Sequence, residues 1–130
     1  MNGYKATVRE CSKELTAKER IMLKDTSNAE SLDILTQEAN FNGKILLINV
    51  DYYATLDIHN EKSDNKDYIN FIVVDKDGKK YVTGSQSFIS SFTDIFEEMT
   101  EAGETDIVIQ VYRKESKNYK GKDFITCSIY

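Results

Sequence analysis

Tyr53, Tyr68, Tyr112 and Phe124 stand on four stretches of alternating polarity, each opposite the aliphatic positions, and Tyr119 lies in a loop crowded with cations. Between Tyr112 and Lys122 the chain carries Arg113, Lys114, Lys117, Lys120 and Lys122 against the single acid Glu115. Solvent-facing rings beside lysines suit a polymer of planar bases and phosphates. A ring stacks on any base for roughly 1–3 kcal/mol, while cations follow the backbone. Lys62 and Lys66, in the polar connector His59–Asp67, would add to such a surface. The same rings could instead pack beneath other parts of the chain or cover sheet surface, and a lysine run is often only a solvated turn.

Other chemistries find less support. Asp57 and His59 are two residues apart, with Ser63 and Asp64 nearby, but no nucleophile elbow or third member accompanies them, so no catalytic residue is assigned. One histidine, without CxxC or HxxxH spacing, argues against a zinc site. The turn Asp75-Lys76-Asp77-Gly78 resembles the start of a calcium loop, yet the later ligands of an EF-hand are missing. The glycines lack phosphate-loop spacing, and no cofactor is expected. Cys127 alternates with Ile125 and Ile129 as a small core residue, whereas the place of Cys11 is open.

The elements that must position these residues follow from hydrophobic period. Phe88, Phe92, Ile95, Phe96 and Met99 lay one apolar stripe along a helix over Ser87–Met99, with Ser85 and Ser87 available as caps and Gly103 to end it. Around that helix the period is two. Leu46, Ile48, Val50, Tyr52, Ala54, Leu56 and Ile58 are expected on one face of a long first strand, and Tyr68–Val74 and Lys79–Thr83 form a hairpin through Gly78. Ile107–Tyr112 and Phe124–Tyr130 are the fourth and fifth strands. Strand, strand, strand, helix, strand, strand is the order of an OB-fold, a five-stranded antiparallel barrel with one long helix between strands 3 and 4. Its loops between strands one and two and between strands four and five, which flank the ligand face of that fold, would be His59–Asp67 and Lys114–Gly121. Residues 1–41 read as an α-rich N-terminal extension packed on the barrel. A capping box from Thr16 to Glu19 starts a short helix over 16–24, the Ser27 to Glu30 spacing precedes another reaching Ala39, and weak alternation of Tyr4, Ala6 and Val8 allows a further strand.

A chain of 130 residues is expected to form one domain over 1–130. It has no apolar run long enough for a bilayer and no hydrophobic region in Met1–Glu10 of the kind a secretory signal needs, so a cytoplasmic protein with reduced thiols and no membrane contact is expected. The net charge of −5 argues at first against nucleic acid, but Asp94–Asp106 alone holds six acids and no base. Positive charge is thus concentrated on one hairpin of an acidic body, and a local patch suffices to steer a polyanion.

The runs LDIHNEKSDNKDYINFIVVDKDGKKYVTGSQSFISSFTDIFEEM and VYRKESKNYKGKDFITCSIY, with MNGYKATV and LTAKERIMLKDT before them, resemble the small single-stranded DNA-binding proteins of phages, prophages and conjugative elements of Gram-positive bacteria. YVTGSQSF and SKNYKGKDFITCSI are the most specific parts, and the resemblance covers most of the chain. It implies a non-catalytic accessory that coats exposed single strands during replication, with single-stranded DNA, a second copy of the chain and replication proteins as the partners to consider. Housekeeping bacterial proteins of this function end in an acidic recruiting tail. Here the sequence ends at Cys127-Ser128-Ile129-Tyr130, within the last expected strand, which puts recruitment through such a tail in doubt. The alternative from another class is a mobile-element protein that binds a partner protein through its acidic helix face and exposed sheet edge, without nucleic acid.

Overall fold

The computed structural model describes residues 3–116 and 122–130. The apolar stripe forms a helix, Gln86–Glu101, whose N-cap Ser85 accepts from the Phe88 amide at 3.4 Å. At its other end Gly103 takes φ +79°, and the bonds Gly103 N to Thr100 O (3.0 Å) and Glu104 N to Met99 O (2.9 Å) satisfy the last carbonyls. In chain order the elements are β1 (Tyr4–Cys11), α1 (Ala17–Lys24), β2 (Glu30–Ser31), α2 (Leu32–Phe41), β3 (Leu46–Asn60), β4 (Asp67–Asp75), β5 (Lys80–Thr83), α3 (Gln86–Glu101), β6 (Ile107–Glu115) and β7 (Asp123–Ile129).

β3 organises the sheet. β4 pairs with residues 50–59 on one edge, while the other edge takes β6 over Leu46–Val50 and β1 over Ala54–Asn60. With β5 beside β4 and β7 beside β6, the strand order is β2-β5-β4-β3-β6-β7, and β1 lies off that path. The chain is mainly β, a sheet curled into a half-barrel, and α3 falls between the third and fourth of the strands expected from the sequence.

Three expectations need correction. The sheet has seven described strands rather than five, because the N-terminal segment is not simply α-rich and contributes β1 and β2. The barrel is not closed: among the described residues no ladder joins β5 to β7. The edge of β5 that would close it is taken by β2, where Glu30 pairs with Tyr81 and Ser31 with Val82, and this short pairing is parallel in an otherwise antiparallel sheet. The third correction concerns which way β3 faces. Its register against β4 shifts between Val50 and Tyr52, and such a bulge reverses the faces of every residue beyond it. Ile48 and Val50 therefore share the inner core with Tyr53, whereas Tyr52, Ala54, Leu56 and Ile58 belong to a cluster on the outer face.

Tyr53 is thus inside, 7% exposed, with its ring 5.3 Å from Phe71, 5.5 Å from Phe92 and 5.2 Å from Phe96. Fully burying one such ring contributes about 1.5–3 kcal/mol, and each edge or stacked contact adds about 0.5–1.5 kcal/mol. The outer cluster is roofed by Leu15 and by Leu23 of α1. The capping box at Thr16 and Glu19 starts α1 as expected, and Lys80 Nζ reaches the carbonyls of Met22 and Asp25 at its C-terminal end, where the helix dipole favours a cation. Cys127 lies in the inner core, its thiol pushed up to about 12 by burial, and both cysteines are free. No helix among the described residues is long and apolar enough to cross a membrane.

Candidate nucleic-acid interface

Pairing along the β6–β7 hairpin decides which sequence-predicted residues meet. Tyr112 faces Thr126 and Lys114 faces Phe124, so Tyr112, Lys114 and Phe124 are diagonal or direct neighbours on one face of the two strands. That face is the outer one, because the intervening Val111, Ile125 and Cys127 are core residues. Tyr112 is 37% exposed, Phe124 half-buried and Lys114 exposed, while Lys122, also exposed, lines a recess with Asn40, Arg113, Glu115 and Asp123. The patch thus has two rings at different depths beside a lysine. It can receive a base on a ring and a phosphate on a cation.

Arg113 does not join them. Alternation turns it to the inner side, where its side chain is 11% exposed and donates to Asp123 Oδ1 at 2.7 Å, Thr36 Oγ1 at 3.1 Å and the Asp33 carbonyl at 3.2 Å. Its expected place among the phosphate contacts is therefore corrected: the cation is already engaged by the protein. Tyr53 is corrected likewise, since no base can reach a ring packed against Phe71, Phe92 and Phe96. Lys117, Tyr119 and Lys120 lie outside the described residues.

Tyr68 sits at the other end of β3, opposite Ile58, half-buried against the outer cluster. The neighbouring turn carries Lys62 and Lys66, both exposed, with Lys66 Nζ 3.2 Å from Glu61 Oε2. Tyr68 and the Tyr112–Phe124 patch share the outer side of the sheet but lie at opposite ends of its longest strand.

Between them lies a residue that sequence reasoning missed. Tyr52 borders a recess of about 380 Å³ with Lys13, Met22, Val74, Lys76 and Lys80, and Lys13 Nζ stands 5.3 Å from its ring centroid. The charges there are largely partnered: Lys13 with Asp51 at 3.3 Å, Lys76 with the Thr105 carbonyl at 2.9 Å, and Lys80 with the end of α1. The recess offers a ring rather than a field. Its only sequence signal was a tyrosine among aliphatic positions, and period two placed it inside.

On the opposite face of β1, β3 and β4 a recess of about 450 Å³ is lined by Lys5, Thr7, Arg9, Asp57, His59, Asp67 and Ile69. Four of its ionic groups are partnered: Arg9 holds Asp57 through two bonds of 3.0 and 2.6 Å, and His59 lies between Asp67 (2.8 Å) and Glu61 (2.7 Å). Hydrogen bonds to Asp67 and then Glu61 raise the His59 pKa above its ordinary value. The stabilisation this brings is fully present below the unfolded value of about 6.5 and is lost as pH rises through the higher folded value. In an NMR titration the His59 ring should show a midpoint above 6.5, and Asp67→Asn should bring it down. An unshifted midpoint in the parent would mean that the two carboxylates do not hold the ring in solution.

A family model described as Phage Single-stranded DNA-binding protein matches residues 5–130. The chain belongs to this family. No curated protein and no solved structure matches it. Membership in the phage single-stranded DNA-binding protein family gives the chain a general role in binding single-stranded DNA, in agreement with the resemblance read from the sequence. The match runs from β1 to the end of β7, so the N-terminal strands and helices lie within the family's unit.

Proposed function

We propose that this chain is a single OB-like domain that coats single-stranded DNA exposed during replication of a phage or related mobile element, acting in the cytoplasm of the bacterial host without catalysis. The observation that carries this reading is the grouping of Tyr112, Lys114 and Phe124 on the outer face of the β6–β7 hairpin. Tyr112 and Phe124 stack bases, and Lys114 and Lys122 meet phosphates. Tyr68, with Lys62 and Lys66, extends the track at the far end of β3, and Tyr52 lies between. Stacking and point charges read neither base edges nor composition, so binding is tolerant of sequence.

The test is a titration of fluorescent oligo-dT and of duplex DNA at several salt concentrations. Preference for the single strand is expected, with log K against log salt falling by about 0.7 for each phosphate contact. Lys114→Ala with Lys122→Ala should weaken binding to every base composition alike and flatten the slope by roughly 1 to 1.5. An unchanged slope in the folded double variant would move the phosphate contacts off this hairpin. Absence of salt-sensitive binding altogether would favour a protein partner.

A further inference from the structure

One consequence of the hairpin geometry rests on reading its outer face as the DNA contact. The β3–β6 ladder ends where Leu46 faces Val111, so among the described residues Tyr112–Glu115 pair only with β7. On the inner side Arg113 ties this projecting length to α2. Thr36, 1% exposed, donates its hydroxyl to the Leu32 carbonyl at 2.6 Å and accepts from Arg113 Nε at 3.1 Å. Arg113 Nη2 reaches the Asp33 carbonyl at 3.2 Å and its carboxylate at 3.7 Å, and Nη1 takes Asp123 at 2.7 Å. Asp123 begins β7 opposite Glu115, so the guanidinium joins both hairpin strands to the first turns of α2. Tyr112 and Lys114, its neighbours on either side, point the other way.

We propose that Arg113, Asp33 and Asp123 are positioning residues for DNA binding, a clamp that sets the hairpin on α2 and so fixes the angle at which Tyr112, Lys114 and Phe124 meet the strand. A charge-assisted planar network gives orientation as well as attachment, which a lone hydrophobic contact would not. Through α2 the N-terminal segment thereby takes part in recognition.

The sign of one variant separates this from simple electrostatics. Asp123→Ala removes a negative charge beside a basic hairpin, so if the acid merely repelled phosphate, binding would tighten. With the clamp, affinity for oligo-dT should fall by about three- to ten-fold while the salt slope stays that of the parent. Arg113→Gln should fall by about ten-fold, again without flattening the slope, although a cation has been removed. Asp123 is 45% exposed, so Asp123→Ala decides the matter even if Arg113→Gln fails to fold. Equal or tighter binding by Asp123→Ala, or a slope flattened by about 0.7 in folded Arg113→Gln, overturns the clamp. Tyr112→Ala and Lys114→Ala keep the two readings apart. If both bind like the parent, the hairpin is not the DNA site and the clamp falls with it; if both bind weakly while Asp123→Ala binds tightly, only the clamp is wrong.

Discussion

Tyr53→Ala is expected to lower the unfolding free energy by about 3–5 kcal/mol, the usual cost of deleting a buried aromatic ring. The ring is 7% exposed and touches Phe71, Phe92 and Phe96, three groups that α3 and β4 hold in place and that cannot collapse far into the space left behind. Tyr53→Phe should stay within about 1 kcal/mol of the parent, because among the described residues the hydroxyl makes only a long 3.4 Å contact with Glu10. Urea denaturation gives both values from the shift in midpoint at constant m. Were Tyr53→Ala to keep the parent's midpoint and lose only DNA affinity, the face assignment beyond the bulge would be wrong and the ring would point outward after all.

Tyr112→Ala should weaken binding to single-stranded DNA by roughly 1–3 kcal/mol, which is about a 5- to 150-fold rise in Kd, with little change in stability because the ring is 37% exposed. Phe124→Ala should lose a similar amount, and since Phe124 is half-buried its unfolding midpoint has to be measured alongside. The two positions are diagonal neighbours across the hairpin, so a double variant need not show the sum of the single losses. A coupling between them would itself indicate one shared base or two adjacent ones. The salt slope should not move in either, since neither ring carries charge. If both variants bind as the parent does, the hairpin face is not the stacking surface, and attention passes to Tyr52 and Tyr68.

Much of the architecture was legible because it rests on local period. The stripe from Phe88 to Met99 produced α3, with Ser85 as its N-cap and Gly103 just past its end, and the alternation in β6 and β7 held over most of each strand, whereas β4 is buried on both faces from Phe71 to Val74. The Thr16–Glu19 capping box marked the start of α1, since both of its bonds lie within four consecutive residues. β2 was invisible. It is two residues long and exists only because α2 brings Glu30 and Ser31 beside Tyr81 and Val82.

The site divides along the same line. That Tyr112, Lys114 and Phe124 would share a face followed from period two in two short strands joined by a loop, and no distant contact was needed to know it. Tyr53 and Tyr52 exchanged places because one extra residue near Asp51 reverses the faces of β3, while the sequence on either side continues to alternate without a break. A bulge bends the strand and sharpens its twist locally, and no residue of β3 need announce it. Arg113 was misread for a related reason. Its charge and its place in a basic run are properties of the sequence, but whether a cation meets a phosphate or a carboxylate depends on what is packed beside it, and Asp33 and Thr36 come from 80 and 77 residues away. The sequence by itself determined the helix stripe, most of the strands, the family resemblance and the concentration of positive charge, all of which depend on neighbours within a few residues. Only the tertiary structure decided which tyrosines are buried, where the sheet stays open and which cation is already held, because each of these is settled by contacts between segments far apart in the chain.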